Sequence, residues 1–366
     1  MAKTKNKESA GKVSIGQLRD LLNKKSGREV AYDLQDDNPT EVTDWIPTGS
    51  RWLDSIICRG KLAGIPVGKI SELAGLEGSG KSYMAAQIAA NAQKMGIDVI
   101  YFDSESAIDP DFMKKAGCDM SRILYVQAEN VEYVLESIED LLKNNQNRML
   151  FIWDSMALTP SKTDLEGDFD PQSSMAVKPR ILAKGLSKLI QPIANSQSTL
   201  LVLNQLKTNL QVQNIKYATD SERYTTPGGK ALSYAYSLRI WLTGSKAKDS
   251  FVEDSKGFRI GSLVKARLEK SRFGTQGRAC EFQIMWADRV GVLDDESLFE
   301  AIKSSPSLNV GAWNTLTYGD GESEKFRSAD WAAKMKEPKF RERVFELLNE
   351  EVILKFDKRE GHASQF

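Results

Sequence analysis

The sequence predicts an α/β fold, a mostly parallel sheet with helices on both faces, preceded by a short N-terminal helix and followed by a small C-terminal α/β lobe. Three observations predict it. Short β-rich runs alternate with longer helical patterns through the middle of the chain. One strand-to-helix junction carries a glycine-rich phosphate loop. The last apolar runs before Gly291 follow one another without helices between them, as antiparallel strands extending one edge would.

Taken in order, a polar, lysine-rich start leads to Ser14 and Gln17, spaced as a capping box. Ile15, Leu18, Leu21 and Leu22 then share one helical face, and Gly27 marks the stop. Residues 28–44 are polar and contain Pro39, so this helix is expected on a tether. Its apolar stripe needs a docking surface, either on its own core or on a neighbouring protomer. Strands are expected at 69–73, 99–103, 150–154 and 199–204, and helices at 82–95, 131–143 and 177–196. Runs 238–243, 262–268 and 279–285 are the expected antiparallel extension. Beyond Gly291 the pattern turns helical, ending in 340–356. The expected division is therefore an N-terminal polar segment and oligomerisation helix (1–37), an ATPase core (38–290) and a C-terminal lobe (291–366).

Composition narrows the chemistry. With 41% hydrophobic and 27% charged residues, the 366-residue chain reads as a globular protein. No apolar run approaches the roughly 18 residues of a membrane span, and residues 1–12 hold no apolar signal core, so a cytoplasmic location is expected. Cys58, Cys118 and Cys280 stand far apart, which suggests buried thiols rather than a zinc site or a disulfide framework. His362 is the single histidine, so catalysis must rest on carboxylates, lysine and backbone. Lysine plus arginine equals aspartate plus glutamate at 50 each, so any nucleic-acid contact must come from cations gathered locally.

The stretch Gly75-Leu76-Glu77-Gly78-Ser79-Gly80-Lys81-Ser82 fits G-x-x-x-x-G-K-[ST] between an expected strand and an expected helix. Its glycines let backbone N–H groups wrap phosphates at a helix N-terminus, Lys81 reaches the β and γ phosphates, and Ser82 can ligate magnesium. Glu77, Ser79 and Tyr83 complete this cofactor-binding segment. Met149-Leu150-Phe151-Ile152-Trp153-Asp154 is an apolar strand that delivers the Asp154 carboxylate to the same sheet edge, where it can serve the metal. Glu105, just past another strand, can accept a proton from the attacking water, with Asp103 as its rival. Gln205 ends the next strand, and its neutral amide can sense a γ-phosphate.

These residues resemble the RecA family of recombinases. The resemblance covers about 46–319 and runs through Thr48-Gly49, Leu53-Asp54, Tyr101-Phe102-Asp103-Ser104-Glu105, Asp154-Ser155, Glu166-Gly167, Leu203-Asn204-Gln205, Thr226-Pro227-Gly228-Gly229-Lys230-Ala231-Leu232 and Glu281-Phe282-Gln283-Ile284. It implies a RecA-like P-loop core, with ATP and Mg2+ as cofactors. By position, Glu105 becomes the water-activating residue and Gln205 the sensor, while Asp109, Phe112 and Trp286 would hold adenine. Lys270 and Arg272 match a basic pair that reaches a neighbour's γ-phosphate, and such cations in trans tie hydrolysis to assembly.

The resemblance also implies single-stranded DNA and a homologous duplex as partners, self-association into helical filaments, and strand exchange in recombination and repair, with room for single-strand-binding and mediator proteins. No membrane partner is implied. Two loops would hold DNA. The first, about 162–176, carries Met175 in a wedge position, with Arg180 on the helix behind it. The second, 206–227, carries Lys207, Leu210, Lys216 and Arg223, followed by Lys230, and is too long for a passive connection. Three features depart from the family pattern and resemble divergent, phage-encoded relatives: the long second loop, the acids Asp168 and Asp170 in the first loop, and a C-terminus without an acidic run. A ring-forming helicase and a nucleotide-gated assembly protein would share the phosphate loop and are the competing expectations.

Overall fold

The computed structural model describes residues 13–35, 41–106, 108–167, 177–212, 218–228, 230–244, 250–274, 276–287 and 290–355. The chain divides into two compact units, Met1–Thr43 and Asp44–Phe366.

In the first unit, helix α1 (Ile15–Ser26) is capped by Ser14 in a two-way box with Gln17 and closed by Gly27 at φ 67°. Ile15, Leu18, Leu21 and Leu22 are all exposed. Residues just after the helix, expected to be plain tether, are instead held to it. Asn23 accepts from the backbone N–H groups of Val30 and Ala31 and donates to Ala31 O, while Arg19 pairs with Asp33. The side chains of the helix thus satisfy backbone that polarity alone suggested was free.

The second unit opens with β1 (Trp45–Ile46), α2 (Arg51–Ile57) and β2 (Ile65–Pro66). Strand and helix then alternate through β3 (Ile70–Gly75), α3 (Lys81–Lys94), β4 (Asp98–Asp103), α4 (Pro110–Lys115), β5 (Ile123–Gln127), α5 (Val131–Asn144) and β6 (Met149–Asp154), followed by α6 (Lys162–Glu166), α7 (Val177–Asn195) and β7 (Thr199–Gln205). A ribbon of β8 (Lys207–Thr208), α8 (Asp220–Arg223) and β9 (Tyr224–Thr225) leads to α9 (Lys230–Ala235) and β10 (Leu238–Thr243). β11 (Phe251–Glu253), β12 (Arg259–Ser271), β13 (Ala279–Met285) and β14 (Gly291–Leu293) follow. The chain ends in α10 (Asp295–Ile302), a small antiparallel sheet of β15 (Leu308–Asn309), β16 (Asn314–Thr317) and β17 (Ser323–Phe326), then α11 (Trp331–Lys334) and α12 (Pro338–Leu348).

Among the described residues the main sheet has ten strands in the order β14-β13-β12-β10-β3-β7-β6-β4-β5, with β11 on β12. The pairs from β10 through β3, β7, β6 and β4 to β5 are parallel, and the rest are antiparallel. Parallel strands buried on both faces read as continuous apolar runs, which is why these were legible. Leu150 and Ile152 of β6 face one core with α2 and α3, whereas Phe151 and Trp153 face a second with α5 and α7. Gly185 allows α7 to approach α5 closely, since a Cβ there would meet Leu135 Cδ1 at 2.3 Å.

Two expectations need correction. Strand β5 was not foreseen, although Ile123-Leu124-Tyr125-Val126 is an apolar run; it is short, and Leu124 and Tyr125 are exposed at the sheet edge. Leu238–Thr243 pairs antiparallel with β12, as expected, but on its other side it also runs parallel to β3, so it joins the two parts of the sheet. It is reached through the long connection that ends in α9, a crossover, and the hairpins begin only after it. The end of the chain is no separate core: Leu298, Leu316 and Phe340 share one apolar cluster with Leu53 and Ile88, and residues 291–293 still belong to the main sheet. No helix among the described residues is long and apolar enough to cross a membrane.

Candidate nucleotide site and loop stem

Parallel strands place their C-terminal ends along one edge, and that edge is where ligands meet open α/β sheets. Register puts Gly75 of β3 beside Gln205 of β7, and Asp103 of β4 beside Asp154 of β6. Four expected site positions therefore come together through topology alone.

The phosphate loop follows β3. Gly78 and Gly80 adopt φ of 69° and 86°, which side chains resist, and a Cβ on Gly80 would meet Ile284 Cδ1 at 2.5 Å. Ser79 Oγ is buried and makes no hydrogen bond among the described residues, an orphan that a phosphate oxygen would satisfy. Lys81 donates to Gly75 O at 3.2 Å and Leu76 O at 3.0 Å. Burial pushes its ammonium down, opposed by Asp154, Glu105 and Glu77. A loop with this shape and an ill-housed cation fits polyphosphate.

Ser82 Oγ donates to Asp154 Oδ2 at 2.9 Å, and the Tyr101 hydroxyl donates to the same oxygen at 2.7 Å. Burial raises the Asp154 carboxyl; the hydrogen bonds from Tyr101 and Ser82 draw it down, and nearby Glu105 and Asp103 raise it. Hydroxyl and carboxylate oxygens brought together from separate elements are hard donors that suit magnesium. Glu105 is exposed, and its Oε1 accepts from Ser155 Oγ at 2.9 Å. Asp103 is committed elsewhere, accepting from Glu105 N at 2.9 Å, Ile108 N at 3.3 Å and the Tyr125 hydroxyl at 3.3 Å.

A cavity of about 280 Å³ beside these acids is lined by Ser82, Tyr83, Asp109, Phe112, Asp154 and Trp286, among others. The expected adenine contacts thus line one space. Tyr83 stands among them, 4.4 Å from Phe112 and 6.2 Å from Trp286 between ring centroids. Lys270 and Arg272 do not line this cavity. They donate to the last carbonyls of α9, Lys270 to Ser233 O at 2.5 Å and Arg272 to Tyr234 O at 2.7 Å. Burial and the neighbouring Arg272 and Arg239 push Lys270 down to about 8.

The expected DNA contacts are only partly gathered. Met175 and Lys216 lie outside the described residues, as does the side chain of Lys230, and so do Asp168 and Asp170. Arg180 and Lys207 are exposed, and Leu210 is 89% exposed. Arg223 is half-buried and donates to Ala218 O within the same loop at 3.3 Å. Lys178, which the sequence did not single out, donates to Ala157 O at 2.8 Å; burial pushes its ammonium down, Asp164 opposes this and Lys207 adds to it. Other participants missed in sequence are Tyr101, Ser104, Ser155, Glu72 and Arg239. A tyrosine or serine at a strand end gives no local signal, and the Glu72–Arg239 pair spans 167 residues.

The family model described as RecA N-terminal domain matches residues 14–291. Among similar curated proteins, one named Protein RecA from Ruminococcus albus is 31% identical over 298 residues, 80% of this chain and 69% of that one. Another of the same name, from Chlorobaculum tepidum, is 30% identical over 300 residues, 82% of this chain and 81% of its own.

Proposed function

The chain belongs to the RecA family, and from that premise we propose that it is a DNA-dependent ATPase that forms helical filaments on single-stranded DNA and catalyses pairing and strand exchange with a homologous duplex. The observation that carries this reading is the continuity of β7, whose end holds Gln205 beside Gly75, with the loop that leaves at Leu206 and presents the exposed Lys207. A sensor of phosphate and a contact for nucleic acid then share one strand end.

In this reading Gly75, Glu77, Gly78, Ser79, Gly80, Lys81 and Ser82 bind the phosphates, while Tyr83, Asp109, Phe112 and Trp286 hold the base. Ser82 and Asp154 would hold magnesium, which supplies neutralisation of phosphate charge. Glu105 takes the proton from the attacking water, and its hydrogen bond from Ser155 aims the carboxylate. Lys270 and Arg272 act on a neighbour's nucleotide, so hydrolysis needs assembly. Arg180, Lys207 and Arg223 neutralise DNA phosphates with Lys216 and Lys230, while Met175 and Leu210 wedge between bases.

The test is ATP turnover with and without single-stranded DNA, electron microscopy of the product, and strand exchange with a non-hydrolysable ATP analogue. Helical filaments and exchange without hydrolysis are expected. Closed hexamers that unwind duplex would overturn the reading in favour of a helicase.

A further inference from the structure

The two ends of the second loop are fastened to the strand that carries the phosphate loop, and the fastening is polar, buried and shared. Glu72 lies on β3, three residues before Gly75, and is 1% exposed. Parallel register sets Arg239 of β10 directly beside it, and Arg239 Nε donates to Glu72 Oε2 at 2.6 Å. The other carboxylate oxygen accepts from Asn204 Nδ2 at 3.0 Å. Asn204 precedes the expected sensor Gln205, where the loop leaves; its amide also donates to Pro227 O at 3.3 Å, where the loop returns. Arg239 closes the circuit, with Nη2 donating to Thr226 Oγ1 at 2.9 Å.

We propose that Glu72 is a positioning residue that makes the second loop answer to the bound nucleotide, because its carboxylate joins the loop's departure at Asn204 to its return at Thr226 through Arg239. This rests on the reading of the chain as an ATPase acting on DNA. Supporting contacts surround the clamp. Leu206 donates its N–H to Gly75 O at 3.0 Å, the carbonyl that Lys81 also reaches. Leu206, Trp241 and Ala74 form a small apolar cluster against which Leu76 and Tyr224 pack, and β8 pairs with β9 across the stem. Gln205 N donates to Asn204 Oδ1 at 3.0 Å, so a shift of the Gln205 backbone toward a γ-phosphate would carry the Asn204 side chain with it. The amide of Asn204 is divided between Glu72 and Pro227, so the displacement is passed to the return limb. A buried ion pair adds little stability over an apolar pair of the same shape, and its value here is in fixing one arrangement of two chain segments.

The full-length chain provides the test. Single-stranded DNA affinity is measured with ADP and with a non-hydrolysable ATP analogue, and the ratio of the two constants reports the coupling. Thr226→Val removes the outermost hydrogen bond and leaves the buried pair intact, and Glu72→Gln removes the charge. Both variants should keep the ADP-state affinity and lower the ratio at least ~5-fold, the lower end of typical couplings. Thr226→Ser, which restores the hydroxyl, should return the ratio to the wild-type value. A purely structural clamp would lower the melting temperature and weaken both nucleotide states together, leaving the ratio unchanged, and that result overturns the proposal. So does a Thr226→Ser variant as defective as Thr226→Val. If Glu72→Gln does not fold, the two Thr226 variants decide alone. A wild-type chain that binds DNA equally in both states overturns the ATPase-on-DNA reading and the clamp with it; a gated wild type with unchanged variants overturns the clamp only.

Discussion

Tyr101 and Asp154 stand on adjacent parallel strands, and the Tyr101 hydroxyl donates to Asp154 Oδ2 at 2.7 Å, the same oxygen that Ser82 reaches. A buried carboxylate stays ionised only if donors hold it, and here burial and the charges of Glu105 and Asp103 work against two hydroxyls. Tyr101→Phe removes one of them, so the Asp154 carboxyl rises further and the oxygen loses a donor that fixes it beside Ser82. The magnesium concentration for half-maximal ATP turnover should rise by roughly 10-fold or more, as expected from losing a hydrogen bond to a charged group. An unchanged magnesium titration would remove Tyr101 from the site.

Lys81 and Glu105 separate binding from chemistry. Lys81→Ala should abolish ATP-driven filaments, because the phosphates lose their main cation. Glu105→Gln should retain ATP and DNA binding while slowing hydrolysis by at least ~100-fold, the usual loss for a general base. A Glu105→Gln variant that turns over at the wild-type rate would move the role elsewhere; Asp103, already engaged by two backbone N–H groups and Tyr125, is poorly placed to take it.

Much of this was legible because it is local. Glycines that tolerate positive φ announce the phosphate loop, and apolar runs buried on both faces announce β4, β6 and β7 with their terminal acids and amide. What was hidden is non-local or exposed. Strand β5 carries a short apolar run, Ile123 to Val126, but it pairs on one side only and leaves Leu124 and Tyr125 exposed, so nothing beyond four residues marked it as part of the sheet. The direction of β10 depends on the crossover before it, and the partnership of Glu72 with Arg239 depends on register between strands far apart in the chain.

Asp54 gives the fold a pH dependence. It is buried, accepts from Thr48 N at 3.1 Å and Thr48 Oγ1 at 2.7 Å, and is raised to about 8, first by burial. An acid raised on folding favours the folded state at low pH, and that contribution is lost as pH climbs from the ordinary carboxylate value toward about 8. Asp54→Asn keeps an acceptor for Thr48 without the titration. Across pH 5.5 to 8 the wild type should lose roughly 4 °C of melting temperature more than Asp54→Asn, on the order of 3 kcal/mol for a chain of this size. Parallel curves for the two proteins would show that Asp54 does not titrate in this range.

Lys207 tests the electrostatics of the second loop. It is exposed and close enough to Lys178 to affect its titration. Each phosphate contact on a single strand contributes about 0.7 to the slope of log affinity against log salt. Lys207→Ala should flatten that slope by about this amount and weaken binding evenly across sequences. An unaltered slope would assign Lys207 to solvent.

The basic pair Lys270 and Arg272 supplies the last prediction. Within one chain these cations are bound to the terminal carbonyls of α9, at Ser233 and Tyr234, and line no part of the nucleotide cavity. Their own phosphate loop therefore gains nothing from them, and nucleotide affinity of the monomer should be nearly unchanged in Lys270→Ala with Arg272→Ala. DNA-stimulated hydrolysis should fall by at least ~1000-fold, the range for cations supplied across an interface. Mixed filaments distinguish this from a folding defect. Combined with Lys81→Ala chains, the double variant should recover part of its activity, because some interfaces then join an intact phosphate loop to intact cations from the other subunit. If mixed filaments form and hydrolysis never returns, the pair does not act in trans, and its contacts with α9 are then its whole role.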